Sequence, residues 1–147
     1  LKIFIEKTEI LAQTKKNGFD YLIGSNGKLI ENKDFTLELP FIFGDLDISE
    51  FLKLKKKIDS SLFEFSEISN LYQYKSNRWD IETRKGNLIK LPKNDIKEIL
   101  NLYVRMFNEE KINEKTIVDF RQKKPNHIKW EIVQLIRRLS LLLQINS

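Results

Sequence analysis

The sequence predicts an α+β domain: a mostly antiparallel β-sheet with two main helices on one face. Two observations support this class. Short apolar segments are separated by hairpin-type turn signals, and two longer segments carry apolar residues three and four positions apart. They follow the order strands, helix, strands, helix, strands. The 147 residues correspond to about one domain.

The first half of the chain contains short predicted strands at residues 2–6, 9–14, 19–23 and 28–30. Lys16-Asn17-Gly18 and Ser25-Asn26-Gly27 supply the turns. Residues 39–44 are also extended, but Pro40 argues against a central strand and favours an edge strand or an extended lead-in.

The second half continues with strands at 68–74, 79–83 and 88–91. In the middle one Trp79, Ile81 and Thr83 alternate with polar residues, which is typical of a half-buried strand. Residues 116–120 and 127–132 are predicted to form a final hairpin pair around the turn at 123–126.

Two helices are predicted from apolar spacing. The first follows Asp47 or Ser49, either of which can cap it, and the second follows Asn94 or Asp95. Their apolar faces consist of Ile48, Phe51, Leu52, Leu54 and Ile58 in the first, and Ile96, Ile99, Leu100, Tyr103, Val104 and Phe107 in the second.

Catalytic and metal-binding chemistry has little basis in the sequence. There is no Cys, and the single His, His127, cannot form a histidine cluster, so we expect no disulfide, metal or cofactor. Asp45 and Asp47 are interpreted as a loop residue and a helix cap. We therefore expect a binding module and not an enzyme.

The net charge of +5 keeps a second function open, a basic nucleic-acid-binding α+β module. The aromatic and basic stretch at 71–79 would suit base stacking beside Arg or Lys. The alternative is that these rings pair across strands and bury one face, and we favour it because the rings lie where a hairpin needs them.

Five segments, in this order, resemble the FtsQ/DivIB family of bacterial cell-division proteins. Residues 7–12 and 21–30 are similar to its "E-R-x-P-V-A" and "Y-L-I-D-x-D-G-x-V-I" strands, although Glu9-Ile10 stands where Pro is common and Gly24 replaces an Asp. Residues 39–44 resemble "L-P-x-L-x-G", residues 78–91 resemble "R-W-x-L-x-x-x-N-G-x-x-V-x-L", and residues 118–121 resemble "V-D-L-R".

The resemblance implies a domain organisation and a location. Residues 1–10 would end a truncated POTRA domain, residues 11–132 would form the FtsQ-type β-domain, and residues 133–147 would be a tail. An upstream part would hold the rest of the POTRA domain, a transmembrane helix and a cytoplasmic tail. This domain would then lie on the periplasmic side of the inner membrane, at the division septum.

The resemblance also implies a divisome scaffold that binds FtsB and FtsL and links early and late division proteins. A segment of FtsB would add as a β-strand to the last strand, 127–132. The partner-binding residues would be Trp130, Lys129, Ile128, His127, Arg121 and Arg78. Among these, Trp130 and Arg121 are expected to contribute most, because Trp and Arg are typical interface anchors.

The tail departs from the family, which usually ends in a polar extension. Ile132, Val133, Leu135, Ile136, Leu139, Leu142 and Leu143 could line an amphipathic helix. The sequence leaves open a helix that docks on the domain, a helix on a membrane surface, and a stretch translated from the wrong reading frame.

Overall fold

The computed structural model describes residues 8–33 and 38–121. The predicted strands at 2–6 and 127–132 and the tail at 133–147 lie outside these residues. Within the described ranges, neither helix is long and apolar enough to cross a membrane.

The described elements follow the predicted order of strands and helices. They are β1 (Ile10–Lys16), β2 (Phe19–Gly24), β3 (Leu29–Glu31), β4 (Phe41–Gly44), α1 (Ile48–Asp59), a 3-10 turn (Phe65–Glu67), β5 (Ile68–Gln73), β6 (Trp79–Thr83), β7 (Leu88–Lys90), α2 (Ile96–Asn108) and β8 (Ile117–Asp119). The α+β class is thereby confirmed.

The described strands form one sheet in the order β3-β2-β1-β4-β5-β6-β7-β8. Hairpin neighbours pair antiparallel, whereas β1–β4, β4–β5 and β7–β8 pair in parallel. Parallel neighbours need a crossover connection, usually a helix. The chain supplies α1 between β4 and β5, and α2 between β7 and β8.

Both helices pack on the same face of the sheet. The Phe51 ring of α1 lies 6.4 Å from the Trp79 ring of β6, and Tyr103 of α2 is buried in the same core as Ile81 of that strand. Trp79 and Ile81 are two residues apart, so their side chains point to one side of β6. One hydrophobic core therefore lies between the sheet and the two helices.

Asp47 and not Ser49 caps α1. Its carboxylate accepts a hydrogen bond from the Glu50 amide at 3.2 Å, which satisfies an N–H that the helix itself cannot pair. The Asp47 amide in turn donates to Gln73 Oε1 at 2.8 Å. The start of α1 is thus fastened to the end of β5.

Pro40 does not mark an edge strand, so that alternative is wrong. Strand β4 lies between β1 and β5, in the interior of the described sheet. The extended lead-in is confirmed, because Pro40 precedes β4 and needs no amide of its own for the ladder. Its carbonyl accepts from the Gln13 amide at 3.0 Å.

Gly44 provides a test of how closely β4 and β5 approach. Its φ is +102°, and a Cβ there would lie 2.1 Å from the carbonyl oxygen of Gln73. We expect Gly44→Ala to destabilise the fold by about 2 kcal/mol or more, because the backbone conformation and the steric clash both oppose the methyl group.

Gly18→Ala is the matched control. Gly18 also has a positive φ, +81°, but no atom within 4 Å of its Cβ position, so only the conformational cost of about 1 kcal/mol remains. Urea unfolding of the two variants measures both effects. Equal losses would show that the contact with Gln73 adds nothing.

Candidate functional site

One surface of the sheet is not covered by α1 or α2, and we call it the open face. The strand registers and the alternation of side chains define it. Its members on the last five strands of the described sheet are Phe41, Phe43, Asn70, Tyr72, Asp80, Glu82, Leu88, Lys90, Ile117 and Asp119.

Strand β8 ends the described sheet on this side. Its residues Ile117, Val118 and Asp119 pair with Leu88, Ile89 and Lys90 of β7. Ile117 is 66% exposed on the open face, while Val118 packs against the core. Within residues 8–33 and 38–121, β8 therefore has a backbone neighbour on one side only.

The buried amide of Asn87 holds the lead-in to β8 in place. Its Oδ1 accepts from the Thr116 backbone amide at 2.9 Å, and its Nδ2 donates to the Tyr103 hydroxyl at 2.7 Å. The Asn87 side chain is 0% exposed. One side chain thus joins the β6–β7 hairpin, α2 and the residue before β8.

Arg121 lies just beyond β8 and forms a bidentate pair with Asp119. Its Nε and Nη2 lie 3.0 and 2.9 Å from the two carboxylate oxygens, and its backbone amide also donates to Asp119. This pairing lowers the pKa of Asp119 to about 2. A guanidinium has further N–H donors beyond these two, so Arg121 can bind a second acceptor.

Arg78 is held more tightly than Arg121. It forms an ion pair with Asp80, whose side chain is only 2% exposed, and its guanidinium lies 4.3 Å from the centre of the Tyr74 ring. The Tyr74 hydroxyl donates to the other Asp80 oxygen at 2.9 Å, which raises the pKa of Tyr74. Arg78 therefore neutralises a buried carboxylate.

The neighbouring part of the open face is aromatic. Tyr72 stacks on Phe43 of β4 with 5.2 Å between ring centres, and its hydroxyl donates to Glu82 at 2.7 Å. Burial, followed by this hydrogen bond, raises the pKa of Tyr72 to about 12. At physiological pH the phenol therefore stays neutral and donates a hydrogen bond to Glu82.

Two of the six predicted partner-binding residues lie in the described part of the chain. The structure pairs Arg78 with Asp80 on β6 and Arg121 with Asp119 on β8. These two carboxylates lie in register on the open face, with Lys90 of β7 between them. His127, Ile128, Lys129 and Trp130 lie outside the described residues.

Sequence reasoning missed that Asp80 and Tyr74 are the partners of Arg78 on the open face. The signal for Asp80 was the alternation of residues 79–83, which puts Asp80 and Glu82 together on the side away from Trp79. The alternation did not indicate burial, because Asp80 is covered by side chains of its own face.

The stretch at 71–79 gives little support to nucleic-acid binding. Its Tyr72 and Tyr74 hydroxyls are bound to the carboxylates of Glu82 and Asp80, and carboxylates repel phosphates. Trp79 is buried on the helix side of the sheet. In the ranges that the structure describes, no three His, Cys, Asp or Glu side chains are grouped so as to hold a metal ion.

Comparison with known families identifies the domain. Residues 11–121 match the family model described as cell division protein FtsQ/DivIB, C-terminal. The chain belongs to the FtsQ/DivIB family. The resemblance of the sequence motifs is thereby confirmed, and this FtsQ/DivIB domain has a role in cell division.

Among solved structures, this chain is similar to the major extracytoplasmic domain of the trans isomer of the cell-division protein DivIB from Geobacillus stearothermophilus. The identity is 11%, the TM-score is 0.49, and the match covers 74% of this chain and 99% of that chain. A search of curated proteins finds no match.

Replacing Asn87 tests whether its amide secures the edge of this FtsQ/DivIB domain. We expect Asn87→Ala to cost about 2–3 kcal/mol, because it removes both the acceptor of the partly buried Thr116 amide and the donor to the buried Tyr103 hydroxyl. The Phe120 amide, which donates to Lys90, should exchange with solvent faster than the loss of global stability explains.

Asn108→Ala is the control, since Asn108 is an exposed residue at the end of α2 and its loss should change stability by less than about 0.5 kcal/mol. Hydrogen exchange followed by NMR gives both readouts. Unchanged relative protection of Phe120 in Asn87→Ala would contradict the proposed role.

The Asp119–Arg121 pair predicts that the stability of the fold decreases in acid. The folded-state pKa of Asp119 is about 2, below its ordinary 3.8, so the pair stabilises the fold above pH 4 and loses this contribution as the pH falls from about 4 to 2. Asp119 is largely exposed, and solvent screening keeps the contribution below about 1 kcal/mol.

NMR titration of the Asp119 carboxyl carbon measures the shift directly. In Arg121→Gln the midpoint should return toward 3.8, whereas Arg105→Gln on the exposed side of α2 should leave it unchanged. A midpoint near 2 in both variants would show that Arg121 is not the cause.

Proposed function

We propose that this domain is a non-enzymatic scaffold of the bacterial divisome that binds FtsB and FtsL by β-strand addition. It links early and late division proteins at the septum, on the periplasmic side of the inner membrane. The family match supports a role in division. The position of β8 at the end of the described sheet supports the mode of binding.

Strand addition requires a sheet edge whose backbone groups can accept a new partner. In this proposal residues 127–132 pair with β8 and carry the new edge, and an FtsB segment adds to it. Ile128, Trp130 and Ile132 then share one side, while His127, Lys129 and Glu131 share the other. Alternating side chains would supply specificity, and backbone hydrogen bonds would supply affinity.

The two described arginines have different parts in this proposal. Arg121 is exposed, pairs with an exposed Asp119, and has donors left for a carboxylate of the partner. Arg78 is committed to the buried Asp80, so its main contribution is to keep the open face intact. Residues 1–10 as the end of a POTRA domain, 11–132 as the β-domain and 133–147 as a tail complete the proposed organisation.

Binding of a peptide from the membrane-proximal periplasmic part of the same organism's FtsB tests the proposal by calorimetry. Trp130→Ala should weaken binding at least about tenfold, as expected for an anchor worth more than 1.4 kcal/mol. Arg121→Ala should weaken it less, and Arg105→Ala on the exposed side of α2 should have no effect.

Single prolines test strand addition itself. Successive amides of a strand point to opposite neighbours, so Ile128→Pro and Lys129→Pro remove amides on opposite sides. One variant should stay folded and lose peptide binding, while the other should disturb the pairing with β8. Full binding by both folded variants, or no binding by the unmodified chain, would contradict the proposal.

A further inference from the structure

The open face exposes apolar surface that no described element covers. Ile117 at β8 is 66% exposed and Phe43 at β4 is 44% exposed. Half-buried Leu88 pairs with Ile117 from β7, and half-buried Phe41 lies two residues before Phe43 on β4. The opposite face is covered by α1 and α2. Exposed apolar groups at both ends of one sheet face, on β7–β8 and on β4, indicate a surface that has a partner.

The same surface contains a carboxylate without a cation. Glu82 lies between Leu88 and Asn70 in the strand register and is half-buried. Its hydrogen-bond donor is the neutral Tyr72 hydroxyl, and among the described residues no Lys or Arg forms an ion pair with it. An occupant of the open face should therefore bring apolar side chains and one positive charge.

The chain itself contains a segment with these properties. Residues 133–147 include Arg137 and Arg138 and no Asp or Glu. In a helix, Leu135, Ile136, Leu139, Leu142 and Leu143 would form one stripe. Arg138 would border that stripe, since it stands three residues after Leu135 and four before Leu142, whereas Arg137 would lie nearly opposite it.

The length of this segment as a helix also agrees with the width of the open face. From β8 to β4 the open face spans four strand spacings, about 19 Å, and fifteen helical residues are about 22 Å long. The described chain ends at Arg121, just beyond β8, and in the proposed function residues 127–132 return along β8. The segment therefore starts at that edge of the sheet and is long enough to extend from the apolar residues of β8 to those of β4.

We infer that residues 133–147 form an amphipathic helix that lies across the open face of their own domain. The leucine stripe covers Ile117, Leu88 and Phe43, and Arg138 pairs with Glu82. The tail then gives the sheet a second apolar layer, so that helices cover both faces.

Thiol crosslinking in the full chain tests this inference, because the protein has no cysteine of its own. Ile117→Cys is combined with Leu139→Cys and treated with a short bis-maleimide. The controls are Ile117→Cys with Arg137→Cys, which places the tail thiol on the outer side, and Leu62→Cys with Leu139→Cys. Leu62 is similarly exposed at 55% but follows α1.

We expect the first pair to crosslink within one chain at least about tenfold faster than either control pair, because docking raises the local thiol concentration. Arg138→Glu should slow that reaction, and Arg137→Glu should not. Equal rates for all pairs, or crosslinks only between two chains, would overturn the inference. So would binding of the tail to anionic vesicles without any crosslink inside the chain.

Discussion

The position of β8 at the end of the described sheet depends on the hydrogen bonds of the buried Asn87 amide. β8 has three residues and a neighbour only in β7 within the described sheet, and a strand this short has few ladder bonds of its own. Asn87 adds a partly buried bond to the amide of Thr116 and connects it to Tyr103 of α2. The residue before β8 is therefore fixed to the core, and an edge held in place in advance lowers the entropic cost of the proposed strand addition.

The two faces of the sheet bury different kinds of side chain. The helix side buries aromatic and aliphatic residues such as Phe51, Trp79 and Leu100 at exposures of 2% or less, which supplies the hydrophobic stabilisation. The open face instead buries charge, and each buried group there has a partner. Asp80 forms an ion pair with Arg78 and accepts a hydrogen bond from Tyr74. Removing Arg78 would leave the Asp80 carboxylate without a counter-charge in a site shielded from water.

Local patterns predicted the elements well, because they depend on neighbouring residues. The apolar stripe of α1 and the alternation in 79–83 follow from spacing along the chain, and the same local signals limited the cap of α1 to Asp47 or Ser49. Two features required long-range information. The insertion of β4 between β1 and β5 made a central strand out of a segment preceded by Pro40, and the burial of Asp80 depends on Arg78, Tyr74 and the strand beside it. The family resemblance named Arg78 and Arg121 as partner-binding residues, but it did not indicate that Arg78 pairs with a buried carboxylate and Arg121 with an exposed one.

In the proposed function, that difference determines which arginine a carboxylate of the partner can bind. A carboxylate approaching Arg78 must compete with a desolvated ion pair, and breaking such a pair is expensive. A carboxylate approaching Arg121 meets an exposed guanidinium whose existing pair with Asp119 is screened by water and salt. Electrostatic recognition at this edge should therefore be concentrated on Arg121 and should weaken with ionic strength. Arg78, Asp80 and Tyr74 stay paired with one another and stabilise the open face of β6.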